Sequence, residues 1–166
     1  MYSLISRLFF REKAPPQQTR MLLAFALLLW VPLAAGQINL GELLDAGAKK
    51  LTAEEFRQQV VQRVIVGPTL SGGDLEIMFT TTGSVQGVGS YAKGYPVMAA
   101  ISGEWAIDDS GRVCVTMRMG AGPGGGMPDA SLPSRCQTWF KYAEQYFLSD
   151  SDSDRRTRVL RRTIKQ

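Results

Sequence analysis

GEWAIDDSGRVCVTMR, residues 103–118, has the sequence of a β-hairpin and sets the class of the whole fold. Apolar and polar residues alternate on both sides of the segment DDSG at 108–111, which is rich in turn-forming residues. This period of two predicts two antiparallel strands with one face in a hydrophobic core. The side chains predicted to face that core are Trp105, Ile107, Val113, Val115 and Met117.

The same strand patterns extend the sheet on both sides of this hairpin. Further strands are predicted near residues 64–66, 75–79, 84–90, 135–142, 145–149 and 157–164. Gly87 and Gly89 indicate a bulge or a close backbone approach within their strand. Seventeen glycines and eight prolines in 166 residues suit short strands joined by turns better than a helical bundle.

Two short helical segments precede the sheet. Thr52 and Glu55 form a capping box, and Leu51 and Phe56 have the spacing of a hydrophobic staple, so we predict a helix over 53–63. An earlier helical stretch is expected to open at Asn39-Leu40 and to end at Lys49-Lys50. The predicted fold is mainly β (α+β): a small antiparallel β-barrel or curved sheet with one or two N-terminal helices packed on it.

Residues 21–36, MLLAFALLLWVPLAAG, have the composition of a secretory signal. They form an apolar run that follows basic residues and ends in small ones. The run is shorter than the roughly 20 apolar residues of a spanning helix. We predict a signal peptide over 1–36, a helical segment over 37–50 and a single β-rich domain over 51–166. The expected location is the periplasm or the exterior; the alternative is an uncleaved N-terminal anchor.

Cys114 and Cys136 are the two cysteines of the chain. Two thiols in one small exported domain most simply form a structural disulfide. Such a bond would close a loop of about 22 residues and contribute roughly 3 kcal/mol in the chain-entropy picture. A redox pair usually has the Cys-x-x-Cys spacing, which is missing here, and two free thiols are the remaining alternative.

Basic residues are concentrated at the C-terminal end of the chain. Residues 37–154 contain nine basic and fourteen acidic residues, whereas 155–166 contain six basic residues and no acid. This charge predicts a surface for an acidic partner or an anionic envelope lipid. The alternative is that arginines guard the exposed edge of a last strand. The basic residues concerned are Arg155, Arg156, Arg158, Arg161, Arg162 and Lys165.

No residue pattern in the sequence matches a catalytic, cofactor or metal motif. The chain has no histidine, which is the usual general base near neutral pH. Glu104 and Asp108 could form an acid/base pair, but tight turns favour an acid at the position of Asp108. Asp150, Asp152 and Asp154 have the spacing of the first calcium-loop ligands, yet an arginine replaces the required glycine. We therefore expect no cofactor and no metal.

The order of these features resembles an uncharacterised family of secreted proteobacterial proteins, catalogued as domain of unknown function 995. The resemblance covers about residues 50–164 and implies export and a lipocalin-like small barrel, without implying a reaction. The matching features are Leu51-Thr52, Gly67, Gly103-Glu104-Trp105, the turn at 108–111, Cys114 and Cys136.

The predicted function is that of an exported, non-catalytic and monomeric envelope protein that binds a partner or an amphiphile, with no role in nucleic-acid binding. Tyr91 and Tyr95 are expected to be exposed and to contribute to binding together with the basic end. A roomy, dry barrel would favour ligand carriage, and a filled one would favour protein contact. The alternatives are an inhibitor of a foreign lysozyme-type hydrolase, with the loop 120–134 or the turn 108–109 as its insert, and a weak acid/base enzyme.

Overall fold

The computed structural model describes residues 38–90, 93, 98–120 and 130–165. The predicted signal segment over 1–36 lies outside the described residues, as do Tyr91, Tyr95 and most of the loop 120–134. Within the described part of the chain, no helix has the length and apolarity needed to cross a membrane.

The described residues form two short helices and ten strands. In chain order they are α1 (Leu40–Asp45), β1 (Lys49–Lys50), α2 (Ala53–Gln59), β2 (Val64–Pro68), β3 (Asp74–Phe79), β4 (Ser84–Gly89), β5 (Ala99–Ile107), β6 (Val113–Gly120), β7 (Ala130–Ser131), β8 (Arg135–Tyr142), β9 (Gln145–Ser149) and β10 (Val159–Ile164).

Eight of these strands close into an antiparallel barrel, in the order β2-β3-β4-β5-β6-β8-β9-β10, with β10 paired back to β2. The seam is the pairing of β6 with β8, which aligns Val115 with Arg135. Strand β7 continues this seam, because Ser131 lies opposite Arg118. Between these two pairs, the chain that joins β7 to β8 has one residue more than β6, and residues 132–134 are not part of a strand. The predicted mainly β fold with a barrel, helices and one disulfide is confirmed.

The two helices begin where the sequence predicts and end earlier. At the start of α2 the Glu55 amide donates to the Thr52 hydroxyl at 3.2 Å, and the Thr52 amide donates to the Glu55 carboxylate at 2.8 Å. The helix ends at Gln59, short of the predicted residue 63, because the chain reverses at Gln62, where φ is 65°. Gly47, with φ of 93°, terminates α1, and Lys49–Lys50 form a strand instead of a helix end.

The interior of the barrel follows the predicted period of two. Leu75, Ile77 and Phe79 of β3 are buried inside it. Of the predicted core-facing residues of the hairpin, Val113 is buried, and four are partly buried and pack against this core: Trp105, Ile107, Val115 and Met117. A side chain at Gly87 would collide with the backbone of β3 at the carbonyl of Glu76. The close backbone approach predicted for this glycine is therefore confirmed.

Helix α1 covers a second, smaller core on the outside of the barrel. Leu40 and Leu43 of α1 pack in one cluster with Phe140 of β8 and Phe147 of β9. Phe140 points away from the barrel interior, so it would be exposed without this helix. Helix α1 is thus part of the folded domain.

The disulfide between Cys114 and Cys136 is present and joins the two strands of the seam. The two cysteines lie directly opposite each other, with 3.8 Å between their Cα atoms. Both are half-buried and alternate with the inward side chains of β6 and β8, which places the bond on the outer face. The bond fixes the register of β6 against β8, and its expected contribution to stability is about 3 kcal/mol.

Candidate ligand cavity

An aromatic cluster fills one end of the barrel, which we call the closed end. Phe56 of α2, the residue of the predicted hydrophobic staple, packs against three rings of the barrel. Its ring centroid lies 5.5 Å from that of Phe79, 5.6 Å from that of Trp105 and 5.1 Å from that of Trp139. The Trp105 indole N–H is satisfied by the Thr80 carbonyl at 3.0 Å. Edge-to-face rings of this kind stabilise a core beyond their buried area, so this end is sealed by packing.

A cavity of about 460 Å³ occupies the barrel above this aromatic cluster. Its volume falls within the roughly 300–1,000 Å³ typical of small-molecule sites. Phe79 and Trp139 belong to both the cluster and the cavity wall and form its floor. The wall is mainly aliphatic and thioether side chains, among them Leu75, Ile77, Ile101, Met117, Met119 and Leu160.

The cavity reaches the opposite end of the barrel, which we call the open end, where its lining includes solvent-exposed residues. Leu70, in the loop between β2 and β3, is 49% exposed. Arg135 and Gln137 of β8 also line the cavity, but both are engaged by Asp150, at 3.0 Å and 2.8 Å. The charge of Arg135 is therefore already compensated within the protein.

Arg162 is a second arginine of the cavity lining and is buried, with 5% of its surface exposed. Its Nη1 donates to the carbonyls of Pro68 at 2.8 Å and Arg161 at 2.9 Å. Gly67 provides the space, since a Cβ there would lie 2.8 Å from Nη1. Burial lowers the pKa of Arg162 to about 10, so the guanidinium stays charged at neutral pH.

No carboxylate of the described residues forms an ion pair with Arg162. This differs from the prediction that all arginines of the basic end lie on the surface. Strand β10 alternates Leu160, Arg162 and Ile164 toward the interior with Arg161 and Thr163 outside. In the sequence, the apolar residues Leu160 and Ile164 lie two positions before and after Arg162. In a strand, this spacing places all three side chains on the same face.

The rest of the basic end is only partly the free cationic surface that the sequence predicted. Arg155 pairs with Asp45 at 2.6 Å, and Lys165 pairs with Glu76 at 3.0 Å. Three exposed arginines form no ion pair within the described part of the chain: Arg156, Arg158 and Arg161. The exposed edge of the edge-guarding alternative is absent at Thr163 and Ile164, which pair with β2, whereas residues 159–162 pair with β9. This alternative therefore stays a prediction.

The structure does not bring the candidate acid/base pair together. Glu104 is exposed on the outer face opposite Thr116, and Asp108 follows four residue steps later, about 13 Å along the strand direction. The Ser110 hydroxyl and the Arg112 amide donate to Asp108 and hold its pKa well below its usual value. Asp108 thus stabilises the hairpin turn as an ionised group.

The three aspartates with calcium-loop spacing have separate protein partners. Asp150 binds Arg135 and Gln137, Asp152 pairs with Lys50 at 2.9 Å, and Asp154 accepts a hydrogen bond from the Arg156 amide at 3.0 Å. Asp150 and Asp152 connect the loop between β9 and β10 to β8 and β1, whereas Asp154 bonds within the loop.

Comparisons with protein-family models, curated proteins and solved structures found no match to this chain. The functional inference therefore rests on the cavity itself: an apolar interior with a floor of aromatic rings, an exposed open end and one buried guanidinium.

Proposed function

We propose that the barrel is a non-catalytic carrier that binds a small amphiphile in the cavity between its aromatic floor and its open end. The observation that carries this proposal is the cavity of about 460 Å³ inside a closed barrel. Protein interiors are close-packed, so a volume of this size between the walls of a barrel is typical of a small-molecule site. A carrier, unlike a barrel used only for its outer surface, requires such a volume.

The size and chemistry of the cavity define the class of ligand. The volume of about 460 Å³ lies in the lower part of the range of small-molecule sites. The aliphatic wall favours hydrocarbon, and each buried methylene contributes about 0.8 kcal/mol. A ligand with a single chain of medium length fits these properties better than a two-chain lipid.

We further propose that the protein acts outside the cytosol, in the bacterial envelope. The disulfide at the seam is consistent with an oxidising compartment, and the N-terminal segment has the pattern of a secretory signal. Mass spectrometry of the protein from the periplasm should find a new N-terminus between Ala35 and Ile38. Recovery of only the intact chain, in membranes, would replace cleavage with anchoring.

Three exposed arginines, Arg156, Arg158 and Arg161, support a proposed contact with an acidic partner or an anionic lipid surface during delivery. Such a contact should weaken as salt is added, because exposed charges are screened over about 8–10 Å at moderate ionic strength. Kinship with the secreted family named above, and the monomeric state, remain predictions.

Binding of a neutral fluorescent probe tests the carrier function. N-phenyl-1-naphthylamine should bind the native protein with an increase in fluorescence. Met117→Trp should weaken this binding at least about tenfold, because Met117 lines the cavity opposite Gly103 and a larger ring would occupy the ligand's space.

Val88→Trp is the matched control, since Val88 is a 40% exposed residue of the same barrel, outside the cavity lining. This variant should bind the probe like the native protein. The proposal is contradicted if the native protein does not bind the probe, or if both tryptophan variants bind it equally well while folded.

A further inference from the structure

The guanidinium of Arg162 is a buried positive charge in the lining of a mainly apolar cavity. A buried charge normally carries a large desolvation cost unless an opposite charge compensates it. Here the described residues supply two carbonyl oxygens and no carboxylate, and both hydrogen bonds use Nη1 alone. An arginine has five N–H donors in a planar fork, so most of its capacity is not used by these bonds.

The nearby acid of the open end does not supply the missing charge. Asp150 is engaged by Arg135 and Gln137, and none of its hydrogen bonds involves Arg162. The cavity therefore contains one compensated and one uncompensated arginine among its described lining residues. An uncompensated cation inside a ligand cavity is a recognition group for an anion.

We propose that the ligand of this cavity carries an anionic oxygen head group, a carboxylate or a phosphate, which pairs with Arg162 while its hydrocarbon chain lies in the aliphatic part of the cavity. Guanidinium binds both groups in a two-pronged geometry, which gives orientation as well as affinity. This inference rests on the proposed carrier function and defines the chemical class of its ligand.

The position of Arg162 fixes which part of the ligand it contacts. Arg162 lies opposite Tyr146 of β9, and its guanidinium reaches Pro68 at the open end of β2. The head group is thus placed on the β2–β10 side of the cavity. The chain then has the space lined by Ile77, Met117 and Leu160.

Displacement of N-phenyl-1-naphthylamine by three twelve-carbon ligands tests the head group. The ligands are dodecanoate, dodecyl phosphate and 1-dodecanol, used below their micelle concentrations, with the native protein, Arg162→Met, Arg162→Lys and Arg161→Met. The native protein should prefer at least one anion over the alcohol by about tenfold to a hundredfold, the range expected for charge-assisted hydrogen bonds. The stronger anion identifies the head group as carboxylate or phosphate.

The variants separate the interior arginine from its exterior neighbour. Arg162→Met should bind the alcohol like the native protein and lose the preference for the anion, whereas Arg162→Lys should keep part of it. Arg161→Met, which changes the exposed neighbour on the same strand, should keep all of it. Should Arg162→Met not fold, the native ligand series and Arg162→Lys still decide the question.

The failures of the two proposals give different results. Equal displacement by the alcohol and both anions would overturn the anionic head group and leave the carrier function intact. A preference lost in Arg161→Met but kept in Arg162→Met would also overturn it, since the anion would then bind outside the barrel. Absence of any probe binding by the native protein would overturn the carrier function itself.

Discussion

The two ends of the barrel are built from the same strands and have opposite properties. Strand β3 contributes Phe79 to the closed end and Leu75 to the cavity, and β8 contributes Trp139 to the floor and Arg135 to the open end. Large rings fill the closed end, while smaller chains leave a volume toward the open end. The large rings of the closed end therefore stabilise the fold, and the smaller inward side chains toward the open end leave the space for a ligand.

Helix α2 accounts for part of this difference. Its capping box and staple fix the direction of Phe56, which contacts three rings of the barrel at centroid distances of 5.1–5.6 Å. Gln59 at the end of the helix accepts hydrogen bonds from Lys141 at 3.0 Å and from the Tyr146 hydroxyl at 3.3 Å. The described part of the open end has no helix of this kind, and its polar groups face the cavity.

Removing the central ring should give the largest loss of stability. We expect Phe56→Ala to lower the free energy of unfolding by about 3–5 kcal/mol, because it leaves a hole between Phe79, Trp105 and Trp139. Urea denaturation followed by tryptophan fluorescence measures the change. Leu70→Ala at the open end is the control and should cost less than about 0.5 kcal/mol. Similar losses in both variants would contradict the division between the two ends.

Removing the buried charge of Arg162 should increase the stability of the ligand-free protein, in contrast to the loss in Phe56→Ala. We expect Arg162→Met to raise the free energy of unfolding of the ligand-free protein by about 1–3 kcal/mol, since it replaces an uncompensated buried cation with an apolar side chain. Thermal denaturation without ligand measures this effect. Arg161→Met is the control, and its free energy of unfolding should stay within about 0.5 kcal/mol of that of the native protein. A clear destabilisation by Arg162→Met would mean that the bonds to Pro68 and Arg161 make this arginine a structural residue.

The smallest expected effect on stability concerns the hairpin turn between β5 and β6. The pKa of Asp108 is lowered in the folded protein, first by the Ser110 hydroxyl and then by the Arg112 amide. Its stabilisation is therefore present above the unfolded pKa of about 4 and is lost as the pH falls toward the folded value. Asp108→Asn should lower stability at neutral pH and reduce the loss on acidification.

Denaturation midpoints measured from pH 7 down to pH 2 test this expectation. Asp109→Asn, at the exposed neighbouring position of the same turn, is the control and should leave the pH profile as in the native protein. An unchanged profile in Asp108→Asn would show that the ionised carboxylate does not stabilise the turn.

Local patterns in the sequence predicted the hairpin, the capped helix α2 and the cysteine pair. The hairpin and the helix depend on residues close in sequence, and the cysteine pair was predicted because disulfides form in exported proteins. Closure of the barrel depends on β10 pairing with β2, about a hundred residues earlier, and no local pattern encodes that contact. The cover of Phe140 by α1 likewise depends on a contact between distant residues.

The cavity and its arginine were the features that sequence patterns did not predict. Volume inside a barrel depends on how eight strands share one interior, which no single strand reveals. Arg162 was assigned to a basic surface because residues 155–166 contain six basic residues and no acid. Its alternation with Leu160 and Ile164 is the local pattern that indicates an inward side chain.

Amide chemical shifts of isotope-labelled protein during a titration with dodecanoate test the central claim most directly. We predict changes at Ile77, Met117 and Arg162, and little change at Phe56, because the ligand enters the cavity and not the aromatic cluster. Changes confined to Arg156, Arg158 and Arg161, on the outer surface, would contradict a ligand inside the barrel.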